Sequence, residues 1–361
     1  MSISNYFAST YAEAREKFRT TAKQSGADLH SYELNEFSGP NNEALTTDVA
    51  LIGPNDAENV LFIISGTHGV EGFAGSGCQV GFFIDELYEA FPSNTLCVLI
   101  HALNPYGFAW LRRVNESNVD INRNFQDFTQ ALPSAEAYEE IHDLLIPADW
   151  DGEIRRKADL ALHSLIQERG LPKFQAAVTG GQYSRPTGLF YGGTREEWSN
   201  RTLRSILKNH IPKISKRIAI IDIHTGLGPS GYGEIMFIGK TVPGFERSKQ
   251  WFGAEVKHFN RGESVSAILT GTTAEAYNNI SSSVEVVPIA LEFGTKPIMD
   301  VLTALRADHW LHAIPNRKTP LHDSIKRQIL EGFYVDTKSW KAAIYGRTVD
   351  IILRAGRGFE M

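Results

Sequence analysis

The sequence predicts an α/β chain whose central sheet is covered by helices on both faces. Two observations lead there. Five short runs are apolar almost throughout, at 60–65, 96–101, 218–223, 234–238 and 286–291. They lack the alternation of a strand with one wet face, so they suit strands buried on both sides. Between several of them lie segments of helical character, at 77–91, 196–209 and 298–312. Strands separated by helices imply a doubly covered sheet.

The elements follow in order. Tyr11, Ala14, Phe18 and Ala22 recur at helical spacing and stop before Gly26, which predicts an amphipathic helix over 11–23 on the edge of the fold. VLFIIS, LCVLIH, IAIIDI, the run 234–238 and VVPIAL are the five strands. The stretch 128–182 differs: AEAYEEIHDLL and RRKADLALHSLIQERG read as helices. No linker, repeat or low-complexity tract interrupts the chain. The expectation is therefore a single domain over 1–361 with a helical insertion at about 128–182. Residues 188–198 read as a strand and a helix start capped by Thr194, near the cleft.

Composition narrows the function. The 361 residues are 42% apolar and 22% charged, ordinary for a folded chain with a large core. Cys78 and Cys97 are too few for a disulfide framework and lie in no CxxC pattern. They read as small core residues of a protein in a reducing compartment. A net charge of -6 argues against a nucleic-acid partner. The N-terminal segment lacks a basic region followed by an apolar run, and no stretch approaches a membrane span. The expected location is the cytoplasm, with no membrane partner. Oligomeric state is not readable.

Four loops at strand ends carry unusual polar residues, where functional groups gather in open α/β sheets. SGTHGVEGFAGS, 65–76, holds His68 and Glu71 three apart. Imidazole and carboxylate are both zinc ligands, and glycines at 66, 69, 72 and 75 let the backbone fold closely. A second HxxE, at His30 and Glu33, lies in what reads as a surface loop. The loop 104–125 holds Arg112, Arg113, Asn122 and Arg123, groups suited to an anionic substrate and a developing oxyanion. His224 ends a very apolar strand and opens a Gly-rich loop. Asp222, two residues earlier, either orients that imidazole or is buried with another partner. Glu292 follows an apolar strand, where an unpaired carboxylate is costly. Beside a metal it could take a proton from water. His309 and His312 form an HxxH within ALRADHWLHAI, which reads as an ordinary packed helix. His101 reads as a core residue.

The order of these loops, with THGVEG, VDINRNF, IDIHTG and ALEFGT as they stand, resembles the zinc carboxypeptidase family (carboxypeptidase-A-like metallopeptidases), in an uncharacterised bacterial-type branch. The resemblance spans about 60–295, and VDINRNF is its most specific piece. It implies a mixed, mostly parallel central sheet flanked by helices. It implies one Zn2+ per chain on His68, Glu71 and His224, with Glu292 as the general base. Arg113, or its neighbour Arg112, resembles the arginine that polarises the scissile carbonyl. Asn122 and Arg123 match the pair that grips a terminal carboxylate. The family's active-site tyrosine has no matching motif here. Tyr277 is the nearest candidate by position, and Tyr232 is another. The stretch from Arg123 to His224 is longer and more helical than in compact members, and is expected to cover or narrow the cleft.

The expected function is hydrolysis of an amide bond near a free carboxylate by metal-activated water, on a peptide or N-acyl amino acid. The alternatives are a deacylase of small N-acyl amino acids and a non-catalytic metal- or ligand-binding module.

Overall fold

All five expected strands form, and three more complete the sheet. In chain order they are β1 (Asp28–Ser38), β2 (Ala44–Ile52), β3 (Asn59–Ile64), β4 (Thr95–His101), β5 (Arg217–Ser230), β6 (Gly233–Phe237), β7 (Lys257–His258) and β8 (Glu285–Gly294). This computed structural model describes residues 2–258, 262–315 and 317–361. The strands make one sheet in the order β1-β2-β4-β3-β5-β8-β6-β7. Its centre, β4-β3-β5-β8, is parallel. Antiparallel pairs attach β2 to β4, β1 to β2 and β6 to β8. The sheet is thus mixed and mostly parallel, as expected.

The helices are α1 (Tyr11–Gln24), α2 (Gly72–Ile84), α3 (Pro105–Ala109), α4 (Glu136–Glu139), α5 (His142–Leu145), α6 (Glu153–Arg169), α7 (Leu171–Thr179), α8 (Trp198–His210), α9 (Val242–Phe252), α10 (Ala274–Tyr277), α11 (Ile298–His312), α12 (His322–Phe333) and α13 (Lys338–Phe359). They cover both faces because the strands alternate. Along β3, Leu61 and Ile63 enter one core with side chains of α1, α2 and α13, while Val60, Phe62 and Ile64 enter another with α8 and α10. Fully buried side chains of this kind stabilise the fold by about 1.5–3 kcal/mol each. Both cysteines are free and buried, and burial pushes the Cys78 thiol up to about 12. Among the described residues no helix is long and apolar enough to cross a membrane.

Several elements differ from the expectation. β1 was not visible because it is the polar edge strand, with Leu34 its one fully buried residue. His30 and Glu33 lie on it rather than in a surface loop. Residues three apart on a strand point to opposite faces, so this HxxE cannot close on one ion. The helix expected at 77–91 begins earlier, at Gly72, and stops at Ile84, followed by a 3-10 turn at Leu87–Ala90. Residues 188–192 form a turn joined by a single bridge between Gln182 and Tyr191. Thr194 caps nothing, since α8 begins at Trp198 after Glu197. The stretch 128–182 is helical as read, carrying α4 to α7.

Candidate metal centre and cleft

The carboxyl ends of β3, β4, β5 and β8 converge on one cleft. After β3, residues 65–71 turn into α2. Gly69 is pressed against the backbone of Gly107, where a Cβ would collide. The amides of Gly69 and Val70 donate to the carbonyls of Arg113 and Arg112, at 3.1 and 2.9 Å. The loop after β4 therefore braces the turn that carries His68 and Glu71. In the sheet, His224 of β5 stands directly beside Glu292 of β8.

His68, Glu71 and His224 form a triangle. Nδ1 of His68 is 2.9 Å from Glu71 Oε1 and 3.2 Å from Nδ1 of His224, which is 3.3 Å from Glu71 Oε2. A tetrahedral zinc with bonds of about 2.0–2.1 Å spaces its ligand atoms about 3.3–3.4 Å apart. The two edges to Glu71 end on different oxygens, and the ligand atoms of the three residues all lie within 4.8 Å of one another, close enough to hold one such ion. Each imidazole turns its other nitrogen to a buried aspartate: His68 Nε2 is 3.2 Å from Asp120 Oδ1, and His224 Nε2 is 3.2 Å from Asp222 Oδ2. At His224 such a carboxylate fixes the tautomer that leaves the inner nitrogen free for a metal, while the Nε2 of His68 faces both Asp120 and the guanidinium of Arg113. Thr67 holds Asp222 at 2.9 Å, and the amide of Thr225 donates to Glu71 Oε2 at 3.0 Å.

Charge supports the same fit. Glu71, Asp120 and Asp222 are three carboxylates, and Arg113 is the guanidinium bonded to two of them, Glu71 at 2.8 Å and Asp120 at 3.0 Å. The titrations register this field. Burial works against charge on His224, yet Asp222 and Glu71 hold its pKa well above the ordinary value. Burial likewise opposes ionisation of Glu71 and Asp120. The charges of His68 and Arg113 overcome it, holding Asp120 well below the carboxylate range and Glu71 below it too. Glu292 goes the other way: burial, and then the negative Glu71, push it up to about 7. Its Oε1 accepts from the amide of Leu227 at 3.0 Å.

The remaining candidates separate. Arg113, Asn122 and Arg123 line the cleft with the three ligand residues and Glu292. Arg113 also lies with its Nη2 2.8 Å from His68 Nε2. Asn122 accepts from the amide of Thr273 at 3.0 Å, which leaves its NH2 as a donor. Arg123 is buried and donates to the carbonyls of Thr179 and Asn122 at 2.6–3.0 Å. Among the described residues no carboxylate pairs with it within 4.0 Å, and burial lowers its pKa. Arg112 does not reach the cleft. It is buried, with Nε 2.9 Å from Asp308 and Nη2 2.9 Å from Asn118. Its neighbour Arg113 takes the cleft side instead. Tyr277 is also away from the cleft wall, buried among the apolar residues under α8. Tyr232 is half-exposed in the turn after β5 and does not line the cleft. Neither Arg112 nor Tyr277, both expected to bind substrate, lines the cleft.

His312 packs with Asp308 and Lys326, and His309 feels the charges of Arg112 and Asp308; among the described residues neither belongs to the metal group. His101 stacks on Phe18 with ring centroids 4.6 Å apart and lies 2.9 Å from Ser76 Oγ, a core role as read.

Two contributors were not singled out in advance. Asp120 stands inside VDINRNF and is the anchor of His68. Phe190 lies beneath both cleft guanidiniums, with Arg113 and Arg123 at 5.2 and 5.4 Å from its ring centroid. Its φ of 52° is an outlier for a bulky residue, of the kind held in place at functional sites. The string GLFYGG carried that signal only as an aromatic between glycines.

The family model that matches, over residues 7–347, is described as a protein of unknown function, DUF2817. No curated protein is matched by the sequence. Among solved structures, bovine thrombin-activatable fibrinolysis inhibitor in complex with tick carboxypeptidase inhibitor superposes with a TM-score of 0.52 at 12% identity, covering 98% of each chain. Carboxypeptidase A from Helicoverpa armigera gives 0.47 at 12% identity, covering 95% of this chain and 73% of its own. A metallo-carboxypeptidase from Pseudomonas aeruginosa gives 0.40 at 14%, covering 93% and 69%. The fold is that of the zinc carboxypeptidases.

Proposed function

The chain belongs to the DUF2817 family, and from that premise we propose that it is a zinc-dependent hydrolase cleaving an amide bond next to a free carboxylate. The observation that carries the reading is the triangle of His68 Nδ1, Glu71 and His224 Nδ1, with edges of 2.9–3.3 Å, beside a carboxyl group raised to about 7. One zinc ion held by these three residues would act as a Lewis acid on the scissile carbonyl and lower the pKa of the attacking water.

The chain's own residues supply the rest. Glu292 takes a proton from the attacking water and delivers it to the leaving amine, the task for which a carboxyl near 7 is matched. Arg123 offers a buried positive charge whose partners are neutral carbonyls. A substrate carboxylate is the anion that completes it, and the NH2 of Asn122 adds a donor. Arg113 brings a second guanidinium to the cleft, where a developing oxyanion is stabilised. Asp222 holds the imidazole of His224 in one tautomer, and Asp120 with Arg113 orients that of His68.

The substrate is a peptide or an N-acyl amino acid. A panel of dipeptides, tripeptides and N-acyl amino acids, assayed with wild type and Glu292→Gln, tests the reading. Amide cleavage that a chelator stops and zinc restores, and that the variant lacks, is the expected result. Full activity in Glu292→Gln, or in metal-free protein, refutes it. The non-catalytic alternative leaves no reason to bury Glu292 beside Glu71.

A further inference from the structure

The cleft contains about 1110 Å3 of space, counting its open mouth, and its charged lining consists of His68, Glu71, Arg113, Arg123, His224 and Glu292. Every one already has a place in the chemistry above. What remains is mostly hydrocarbon. One wall comes from strands, with Met236 and Ala290 on β6 and β8. The other comes from two helices: Phe174 and Val178 on α7, and Leu302 and Leu305 on α11. These four side chains belong to a single apolar cluster with Phe190 and Phe333.

The helical wall offers almost nothing polar to a ligand. Gln175 spends its amide NH2 on the carbonyl of Val265 at 2.9 Å, and the Thr179 hydroxyl is bonded to the carbonyl of Gln175 at 2.9 Å. The Thr179 carbonyl is taken by Arg123. A peptide lying here would bury its amides without partners, which is costly. A methylene chain would not. The wall also opens onto an apolar rim, since Leu171 and Met299 line the cleft and are 39% and 38% exposed.

The wall is anchored at the carboxylate end, because Arg123 bonds to Thr179 in the last turn of α7. From Thr179 back to Leu171 the helix rises about 12 Å, room for an acyl chain of about eight carbons. We propose that α7 and α11 form a groove for a hydrocarbon chain, and that the substrate is an N-acyl amino acid whose acyl group extends along it. This rests on the reading of the cleft as an amide hydrolase. It gives α7, the last helix of 128–182, a purpose: with α11 it turns one side of the cleft into an acyl-binding surface.

The probes are N-acetyl-, N-butanoyl- and N-octanoyl-L-leucine. Binding is measured by calorimetry and hydrolysis by release of leucine. Affinity and kcat/KM are expected to rise about fourfold for each added methylene. Leu171→Glu and Met299→Glu, both on the exposed rim, are expected to lower the ratio of octanoyl to acetyl binding. Equal affinity for all three acyl groups overturns the groove, whether or not any of them is cleaved. Length-dependent binding without hydrolysis leaves the groove standing and overturns the hydrolase reading. A flat acyl series beside a steep series of N-acetyl amino acids with lengthening side chains also overturns the acyl assignment, because it places the hydrocarbon on the amino-acid side.

Discussion

His68 and His224 face each other through their Nδ1 atoms, 3.2 Å apart, and each turns its Nε2 to its own buried aspartate. Two imidazoles in such contact cannot both be protonated on the facing nitrogens without repulsion. Glu71 bridges them at 2.9 and 3.3 Å. A cation between the facing nitrogens, a proton or a metal ion, is what this arrangement accommodates.

Metal binding is therefore the first prediction. Purified protein should hold about one zinc per chain by elemental analysis. His68→Ala and His224→Ala should each lose most of it. Asp120→Asn and Asp222→Asn keep the inner ligands and should weaken zinc affinity about 10–100-fold. Full zinc content in both histidine variants, measured on folded protein, removes the triangle from the argument.

The second prediction concerns Glu292. Burial and the charge of Glu71 raise it to about 7. The base must be ionised to act, so activity should climb as pH rises through its pKa. A bound cation lowers that pKa, so the acid limb of kcat/KM should lie at or below about 7. Glu292→Gln should retain zinc and lose about 100- to 10,000-fold in kcat. A variant that keeps the wild-type acid limb assigns the proton transfer to another group.

How much of this was legible in the sequence depends on distance along the chain. The five buried strands announced themselves through unbroken apolar runs, and the ligand residues sit where those runs end. β1 did not, because an edge strand has little to bury and its polar residues look like a loop. The HxxH of His309 and His312 mimics a metal motif, and only the burial of His309 and the contacts of His312 with Asp308 and Lys326 settle the matter. Arg112 and Arg113 could not be told apart locally. What separates them is Asp308, 196 residues further on, which draws Arg112 away from the cleft. Tyr277 was placed by position alone, and position says nothing about which way a helical turn faces.

The two arginines give the third prediction, as a contrast. Arg123→Met should raise KM for substrates with a free carboxylate and abolish their advantage over the matching amides, with little change in melting. Arg112→Met should do the reverse. It breaks a buried pair with Asp308, whose carboxyl burial would raise but Arg112 and Lys326 hold far below the usual range. Removing one partner of a buried pair costs about 3–5 kcal/mol, read by denaturant unfolding. A large KM effect from Arg112→Met in stably folded protein would place it in the cleft after all.

Acid should weaken the fold before the carboxylates titrate, and His309 with His101 is the reason. Burial lowers both to about 4; the charge of Arg112 pushes His309 the same way, and for His101 Arg15 does so against the opposing Asp48. In the unfolded chain each returns to about 6.5. The folded pKa is the lower one, so between about 6.5 and 4 the unfolded chain binds protons that the folded chain refuses. Each group then subtracts up to about 1.4 kcal/mol per pH unit as pH falls through that window. Above about 6.5 neither contributes. His309 suits a direct test because its Nδ1 is buried without a hydrogen-bond partner among the described residues. His309→Leu should lose little stability at pH 7.5 and should flatten the fall between pH 6.5 and 5, measured by urea unfolding at each pH. If the variant and the wild type fall in parallel across that window, His309 is protonated in the folded protein and its burial costs are met some other way.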